Sequence, residues 1–229
     1  MSVEYFDEQK RQLIAAIRAH TEHVAARIGK TALDKQVLRA MTKVPRHEFV
    51  PAEVQSYAYL DTPLPIGFGK TISQPFMVAV MTDLLELKPD DAVLEIGTGL
   101  GYQSAVLAEL AGRVYSIEII DELAQRAAQR LKRQGYTNVE VRAANGYLGW
   151  PEQAPFDKVI VTAAPDLIPA PLVNQLKAGG RMVIPVGLPN AQQLLVAEKD
   201  QDGKVTTKEI MPVLFSLLEE SEQPTFRAS

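Results

Sequence analysis

The chain has 229 residues, a formal net charge of -4 and no cysteine. The lack of cysteine excludes disulfides, thiolate nucleophiles and cysteine-ligated metals, and no cluster of basic residues indicates nucleic acid. No apolar run approaches the roughly 20 residues that a membrane span requires. The polar residues 1–10 contain no apolar segment of the signal-peptide kind. We therefore expect a cytoplasmic protein with neither nucleic acid nor membrane as a partner.

The first 75 residues are predicted to form a helical extension followed by an irregular loop. Apolar residues at helical spacing predict one helix over 8–29. Thr31 or Asp34 is a candidate cap for a second helix, which is predicted to end at residue 41. Proline, glycine and aromatic residues are frequent over 57–69, and this composition predicts irregular structure.

The segment Thr71-Ile72-Ser73-Gln74-Pro75 precedes a predicted helix over 76–87. Ser73 occupies the position of a helix N-cap, and Pro75 falls in the first turn, where a missing N–H costs little. The sequence spacing alone therefore favours a capping role for Ser73. A role facing a ligand is the alternative interpretation.

From residue 76 onward, strand and helix signals alternate, which predicts a doubly wound α/β core. Apolar segments predict strands at 92–96, 114–118, 139–142, 158–162, 182–186 and 193–198, with a further apolar run near 210–218. Helices are predicted at 102–111, 121–134 and 168–176. The turn signal at 200–203 stands between strands without a helix, so the sheet should end in an antiparallel hairpin. We expect a mostly parallel sheet of about seven strands with helices on both faces.

The stretch 93–104 leads from an apolar strand through Gly97, Gly99 and Gly101 into a predicted helix. Glycines permit positive φ and close approach of a ligand, and the helix start presents unpaired N–H groups. The stretch is therefore predicted to hold a small polar molecule at the carboxyl end of a parallel strand. A dinucleotide-binding loop has glycine at the position of Tyr102, so an NAD-dependent oxidoreductase is disfavoured.

Two acidic residues make this loop similar to the first two motifs of class I S-adenosylmethionine-dependent methyltransferases. Glu95 precedes the first glycine, and Glu118 ends the next predicted strand. The resemblance implies S-adenosylmethionine as cofactor, S-adenosylhomocysteine as product, and no metal. Glu118 would accept hydrogen bonds from both ribose hydroxyls, and Ile119 would pack on the adenine. The implied cofactor-binding residues are Ser73, Glu95, Gly97, Thr98, Gly99, Gly101, Tyr102, Gln103, Glu118, Ile119, Asn145, Gly146 and Thr162.

Segments on both sides of the loop narrow the resemblance to protein-L-isoaspartate O-methyltransferases. They include Val44-Pro45-Arg46-His47-Glu48-Phe49-Val50-Pro51, Leu64-Pro65-Ile66-Gly67, the Thr71-to-Pro75 segment and Gly149-Trp150-Pro151-Glu152. The match runs over residues 40–187, and the segment 71–75 is its most specific part. This family methylates the free α-carboxylate of isoaspartyl residues in damaged proteins and peptides. The ester then collapses to a succinimide, which can reopen to normal aspartate.

The resemblance assigns Ser73 a catalytic role, because its position matches the family's active-site serine. Its hydroxyl, together with the N–H groups at the helix start, would hold the attacking carboxylate. The implied substrate-binding residues are Thr71, Ile72, Gln74, Pro75, Thr162 and Ala163. A carboxylate is already ionised at neutral pH, so no general base is required, and positioning for in-line attack supplies much of the acceleration.

The resemblance also implies how the chain is organised and what it meets. We expect a single methyltransferase domain over 1–229, with the cofactor-binding α/β core at 76–229 and the substrate-side extension at 1–75. The expected partners are isoaspartyl-containing proteins and peptides, and the expected state is a monomer.

Two stretches depart from the family's pattern. The usual Gly-Asp-Gly after the third strand is Ala144-Asn145-Gly146 here, which keeps a side-chain oxygen but loses the charge. The usual Arg-Phe-Val-Pro-Leu run corresponds to 214–218, which lacks the arginine and the proline. Two alternatives therefore stay open: a related carboxyl methyltransferase that acts on another peptide or small acid, and a non-catalytic S-adenosylmethionine-binding protein.

Overall fold

The computed structural model describes residues 3–220 and contains a seven-stranded sheet and a separate two-stranded hairpin. The hairpin consists of β1 (Leu64–Gly67) and β2 (Lys70–Ile72). The strands of the large sheet are β3 (Ala92–Ile96), β4 (Arg113–Glu118), β5 (Val139–Ala143), β6 (Phe156–Val161), β7 (Leu176–Val186), β8 (Gln192–Lys199) and β9 (Val205–Val213). The α-helices are α1 (Val3–His23), α2 (Ala25–Ile28), α3 (Lys35–Lys43), α4 (Pro75–Leu84), α5 (Tyr102–Ala108), α6 (Asp121–Arg133) and α7 (Ala170–Asn174).

The topology confirms the predicted doubly wound architecture. The strand order is β5-β4-β3-β6-β7-β8-β9, in which β3 to β7 are parallel and β8 runs antiparallel to both of its neighbours, β7 and β9. The terminal hairpin turns at Asp200, whose backbone N–H donates to Lys204 O. The chain reverses its direction of progress beside β3, and ligands of such sheets bind at the carboxyl ends of strands near this point.

Apolar clusters cover both faces of the sheet. One cluster joins the sheet to α1 and α3–α6, and the other joins it to α7 and Trp150. All ten residues of α4 are buried, and α4 contacts both α1 and α3. Eight of these residues are apolar, which is typical of a helix buried on all sides. Among residues 3–220, no helix is long and apolar enough to cross a membrane.

The N-terminal prediction was right about helices and wrong about both ends of the first helix, which spans Val3–His23. The predicted helix over 8–29 is two helices, because the chain breaks its regular geometry at Val24. Asp34 caps α3 by accepting from Gln36 N, so Asp34 is the cap rather than Thr31. The predicted irregular loop over 57–69 contains β1, whose buried and exposed residues alternate.

The prediction that Ser73 caps a helix is wrong. Helix α4 begins at Pro75, and its N-cap residue, Gln74, makes no side-chain cap bond. Asp61 takes this role instead, since its carboxylate accepts the Phe76 N–H at 2.7 Å. A carboxylate at a helix start satisfies an unpaired donor and interacts favourably with the helix dipole. The local sequence spacing could not show this, because the cap comes from a different part of the chain.

Asp83 in α4 attaches the N-terminal helices to the core. Its buried carboxylate accepts from Lys30 Nζ at 2.5 Å and from Asp34 N at 2.6 Å. The second bond fixes the start of α3 against α4. A buried carboxylate needs such partners, because desolvation of an unpaired charge is costly.

We predict that Asp83→Ala lowers the free energy of unfolding by about 2 kcal/mol, because two charge-assisted hydrogen bonds are lost. Urea unfolding measures this, and Asp90→Ala, at an exposed position, is the matched control. If the extension and the core form one cooperative domain, Asp83→Ala will shift a single transition. Equal midpoints for the two variants would contradict the assigned role of Asp83.

Candidate active site

A cavity opens at the carboxyl ends of β3, β4 and β6, and its empty volume is ≈ 840 Å³ including its mouth. We call it the first cavity. Its lining includes these residues predicted from the sequence: Thr71, Ile72, Ser73, Gly97, Thr98, Gly99, Tyr102, Gln103, Glu118, Ile119, Gly146, Thr162 and Ala163. The structure therefore brings together residues from the segment 71–75, the loop 97–101 and the ends of β4 and β6. We call the segment 71–75 the acceptor segment and the loop 97–101 the glycine loop.

The glycine loop is held in place by Thr162. The Thr162 hydroxyl lies 2.8 Å from Gly97 O and 3.1 Å from Ile96 O. Gly97 has a φ of 99°, and a Cβ at this position would clash with that hydroxyl. Glycine is therefore required at 97 both for its backbone conformation and for the close approach of β6.

Glu118 presents a carboxylate in the wall of the first cavity. Its Oε2 accepts from Gly99 N at 2.8 Å, and its Oε1 accepts from Ile120 N at 3.1 Å. Burial raises the pKa of Glu118, while these N–H groups act in the opposite direction. A carboxylate has about four lone-pair sites, so both oxygens keep acceptor capacity for a ligand with two neighbouring hydroxyls.

Glu95 lies outside the lining of the first cavity. It is fully buried beneath the glycine loop, and its Oε2 accepts from Ser104 Oγ and from Ser116 Oγ, the latter at 2.6 Å. Burial raises the pKa of Glu95 to about 7. The carboxyl group thus connects β3, α5 and β4, so the structure supports a scaffolding role for it. Direct contact with the cofactor stays a prediction.

Four other predicted residues also lie outside this lining. Asn145 Oδ1 accepts from Tyr147 N at 2.9 Å, so this oxygen caps a short turn. Gly101 is the N-cap residue of α5 with a φ of 92°, and a Cβ there would lie 3.2 Å from the Leu131 side chain, which indicates a packing requirement. Pro75 is buried in α4, and Gln74 lines a neighbouring cavity.

The acceptor segment is anchored through its backbone. Arg46 is fully buried, and its Nη2 donates to Ser73 O at 2.8 Å while its Nε donates to Ala58 O at 2.8 Å. Its Cζ lies 4.7 Å from the ring centroid of Tyr102 at the start of α5. The Ser73 hydroxyl makes no hydrogen bond to any residue between 3 and 220. The segment is thus fixed while its hydroxyl stays available.

A second cavity, lined by residues that include His20, Gln74 and Phe76, adjoins the first beside the acceptor segment. Both are lined by Thr71, Ser73, Thr162 and Ser216, so these four residues surround the junction. The far wall of the second cavity is apolar and is formed by residues 211–215. The two cavities can therefore hold two different molecules that meet beside the Ser73 hydroxyl.

Ser216, Leu217 and Leu218 line the first cavity, although none of them is a site residue predicted from the sequence. The chain returns to the sheet after β9, where Ala164 N donates to Ser216 O and Leu218 N donates to Ala164 O. The only available signal was the correspondence of 214–218 with the family's terminal run. No local pattern indicates this long-range pairing.

The family model described as Protein-L-isoaspartate(D-aspartate) O-methyltransferase matches residues 19–223. The chain belongs to this family. Protein-L-isoaspartate O-methyltransferase 1 of Polaromonas sp. is 65% identical over 217 residues, which are 95% of this chain and 92% of the relative. Protein-L-isoaspartate O-methyltransferase 2 of Syntrophobacter fumaroxidans is 56% identical over 207 residues, which are 90% of this chain and 84% of the relative.

Solved structures of this family share the fold. One protein-L-isoaspartate O-methyltransferase has a TM-score of 0.79 and 27% identity over 91% of this chain, which spans 65% of that longer chain. A beta-aspartate methyltransferase from Plasmodium falciparum, in complex with S-adenosyl-L-homocysteine, has a TM-score of 0.73 and 25% identity. That comparison covers 88% of this chain and 97% of the other. No group of three or more His, Asp or Glu residues within 3–220 is placed to hold a metal.

We predict that Glu95→Gln changes how stability depends on pH. The pKa of Glu95 is raised from 4.5 to about 7 in the folded protein, so the native state favours the protonated form. Its contribution to stability is full below pH 4.5 and is lost as the pH rises through 7. Glutamine does not titrate. The free energy of unfolding of the variant should therefore rise relative to wild type by about 2 kcal/mol between pH 5 and pH 8.

Denaturant unfolding at a series of pH values measures this difference, and Glu140→Gln, at an exposed strand position, is the control. A difference between Glu95→Gln and wild type that is constant with pH would show that Glu95 does not titrate in this range.

Proposed function

We propose that this protein transfers a methyl group from S-adenosylmethionine to the free α-carboxylate of L-isoaspartyl residues in damaged proteins and peptides, releasing S-adenosylhomocysteine. The observation that carries the proposal is the junction of the two cavities beside the Ser73 hydroxyl. A cofactor cavity and an acceptor cavity must meet at such a point for direct transfer. Membership of the isoaspartate methyltransferase family supports the same substrate and cofactor.

The residues of the first cavity fit S-adenosylmethionine. The Glu118 carboxylate keeps acceptor sites suited to two ribose hydroxyls, and Ile119 beside it offers an apolar surface for adenine. Gly97 and Gly99 line the first cavity without side chains, so the loop backbone can approach the methionine portion closely. When bound, the cofactor supplies an electrophilic methyl group on a sulfonium.

Ser73 orients the acceptor in this proposal. Its hydroxyl donates one hydrogen bond to an oxygen of the carboxylate and leaves the other oxygen to attack. The Phe76 N–H already donates to Asp61, so this helix-start donor is occupied and the hydroxyl carries more of the orienting role. An ionised carboxylate needs no base. Alignment is therefore the main contribution of the protein, and misplacement by about 1 Å can cost 100-fold in rate.

Labelled methyl transfer tests the proposed activity directly. The protein is incubated with methyl-labelled S-adenosylmethionine and either an isoaspartyl peptide or the same peptide with normal aspartate. We expect base-labile label on the isoaspartyl peptide alone. Label on both peptides, or on neither while the cofactor binds, would contradict the assignment and favour another acceptor or a non-catalytic role.

We predict that Ser73→Ala lowers kcat by about 100-fold on an isoaspartyl peptide, because the carboxylate loses its orienting donor. Its Kd for S-adenosylmethionine should stay within about twofold, since other residues hold the cofactor. Steady-state kinetics and calorimetry measure the two quantities, with Ser56→Ala, an exposed serine, as control. Unchanged turnover of Ser73→Ala would remove Ser73 from the mechanism.

A cytoplasmic location and a monomeric state belong to the same proposal. Cell fractionation tests the first, and light scattering of the purified protein tests the second.

A further inference from the structure

The second cavity contains a polar group that the proposed methyl transfer does not use. Four of its polar lining residues surround the junction with the first cavity. The other two are Gln74 and His20. The Gln74 amide nitrogen already donates to Asp61 O and to Asp61 Oδ2, both at 3.1 Å. Away from the junction, Gln74 can therefore offer a ligand only its amide oxygen, and His20, near the end of α1, can offer a ring nitrogen.

His20 is held in a fixed orientation by two contacts. Its Nδ1 lies 3.3 Å from Asp61 Oδ2. Its ring stacks on Phe76, with centroids 3.7 Å apart and planes inclined by 13°. Asp61 is itself fixed by the Phe76 N–H. The ring is thus positioned by the same carboxylate that caps α4, and little side-chain entropy is lost when a ligand binds.

The contact with Asp61 also determines what the other ring nitrogen offers. Asp61 oxygens are acceptors, so His20 Nδ1 carries the hydrogen in this pair. In the neutral ring, Nε2 is then an acceptor. The side chain is 35% exposed, and Nε2 has no hydrogen-bond partner between residues 3 and 220.

We propose that His20 Nε2 accepts a hydrogen bond from a backbone N–H of the acceptor peptide next to the isoaspartyl residue. A backbone N–H is the donor that peptides carry whatever their side chains. Recognition through it suits a cleft that must accept many sequences. One fixed polar group among apolar walls sets the direction of a bound chain. This inference rests on the proposed function and deepens it.

The test combines substitution of His20 with substitution of the peptide. His20→Phe keeps a ring to stack on Phe76 but removes the acceptor, and His23→Phe, exposed on the same helix, is the control. Each backbone N–H flanking the isoaspartate is replaced in turn by an ester oxygen. KM for each peptide, kcat and the Kd for S-adenosylmethionine are measured for wild type, His20→Phe and His23→Phe, and thermal melting confirms folding. His20→Leu, which also removes the acceptor, replaces His20→Phe if that variant does not fold, with the same expected result.

We expect His20→Phe to raise the KM of the unmodified peptide three- to tenfold, with kcat and cofactor Kd within twofold of wild type. One ester position should raise KM in wild type and in His23→Phe but not in His20→Phe. A purely structural role of His20 would leave the ester effects the same in all proteins, and that result, or an unchanged KM, would overturn the inference. Wild-type protein that methylates no isoaspartyl peptide would instead defeat the proposed function.

Discussion

The site depends on the buried guanidinium of Arg46. It joins the backbone of Ser73 to the face of Tyr102, and so connects the acceptor segment to the helix that follows the glycine loop. Burial lowers the pKa of Arg46, and removing such a cation from water costs several kcal/mol. The carbonyls of Ala58 and Ser73 and the aromatic face offset this cost. The geometry between the two cavities is therefore set by a guanidinium that lines neither of them.

The carboxylate of Asp61 caps the helix that follows the acceptor segment, so Ser73 does not have to do so. Asp61 caps α4, fixes Gln74 and orients His20. A capping side chain contributes about 1 kcal/mol to helix stability, and this contribution comes from outside the acceptor segment. Ser73 is consequently free of the helix start. The same principle applies to Glu95, which supports the glycine loop from below while Glu118 faces the cavity.

The parts of the fold that short-range patterns encode were predictable from the sequence. Buried parallel strands are continuous apolar runs, and the predicted strands of the large sheet all exist. The glycine spacing and Glu118 indicated the cofactor cavity, and the 71–75 segment indicated its acceptor side.

The misses share a physical cause, which is interaction between residues distant in sequence. The capping of α4 by Asp61 and the bridge between Ala164 and Leu217 leave no periodic signal. The burial of Glu95 beneath the glycine loop leaves no local signal for a related reason. A carboxylate in a strand can face a ligand or the interior, and its partners Ser104 and Ser116 come from other elements. His20 reaches the second cavity only because α1 packs against α4.

The proposed mechanism requires that an acceptor carboxylate lie beside Ser73 at the junction of the two cavities. A crystal structure of the protein with S-adenosylhomocysteine and an isoaspartyl peptide would show where that carboxylate binds. We expect the homocysteine sulfur in the first cavity, the peptide in the second, and the isoaspartyl α-carboxylate within hydrogen-bonding distance of Ser73 Oγ. A carboxylate bound away from Ser73, or a peptide outside the second cavity, would contradict it.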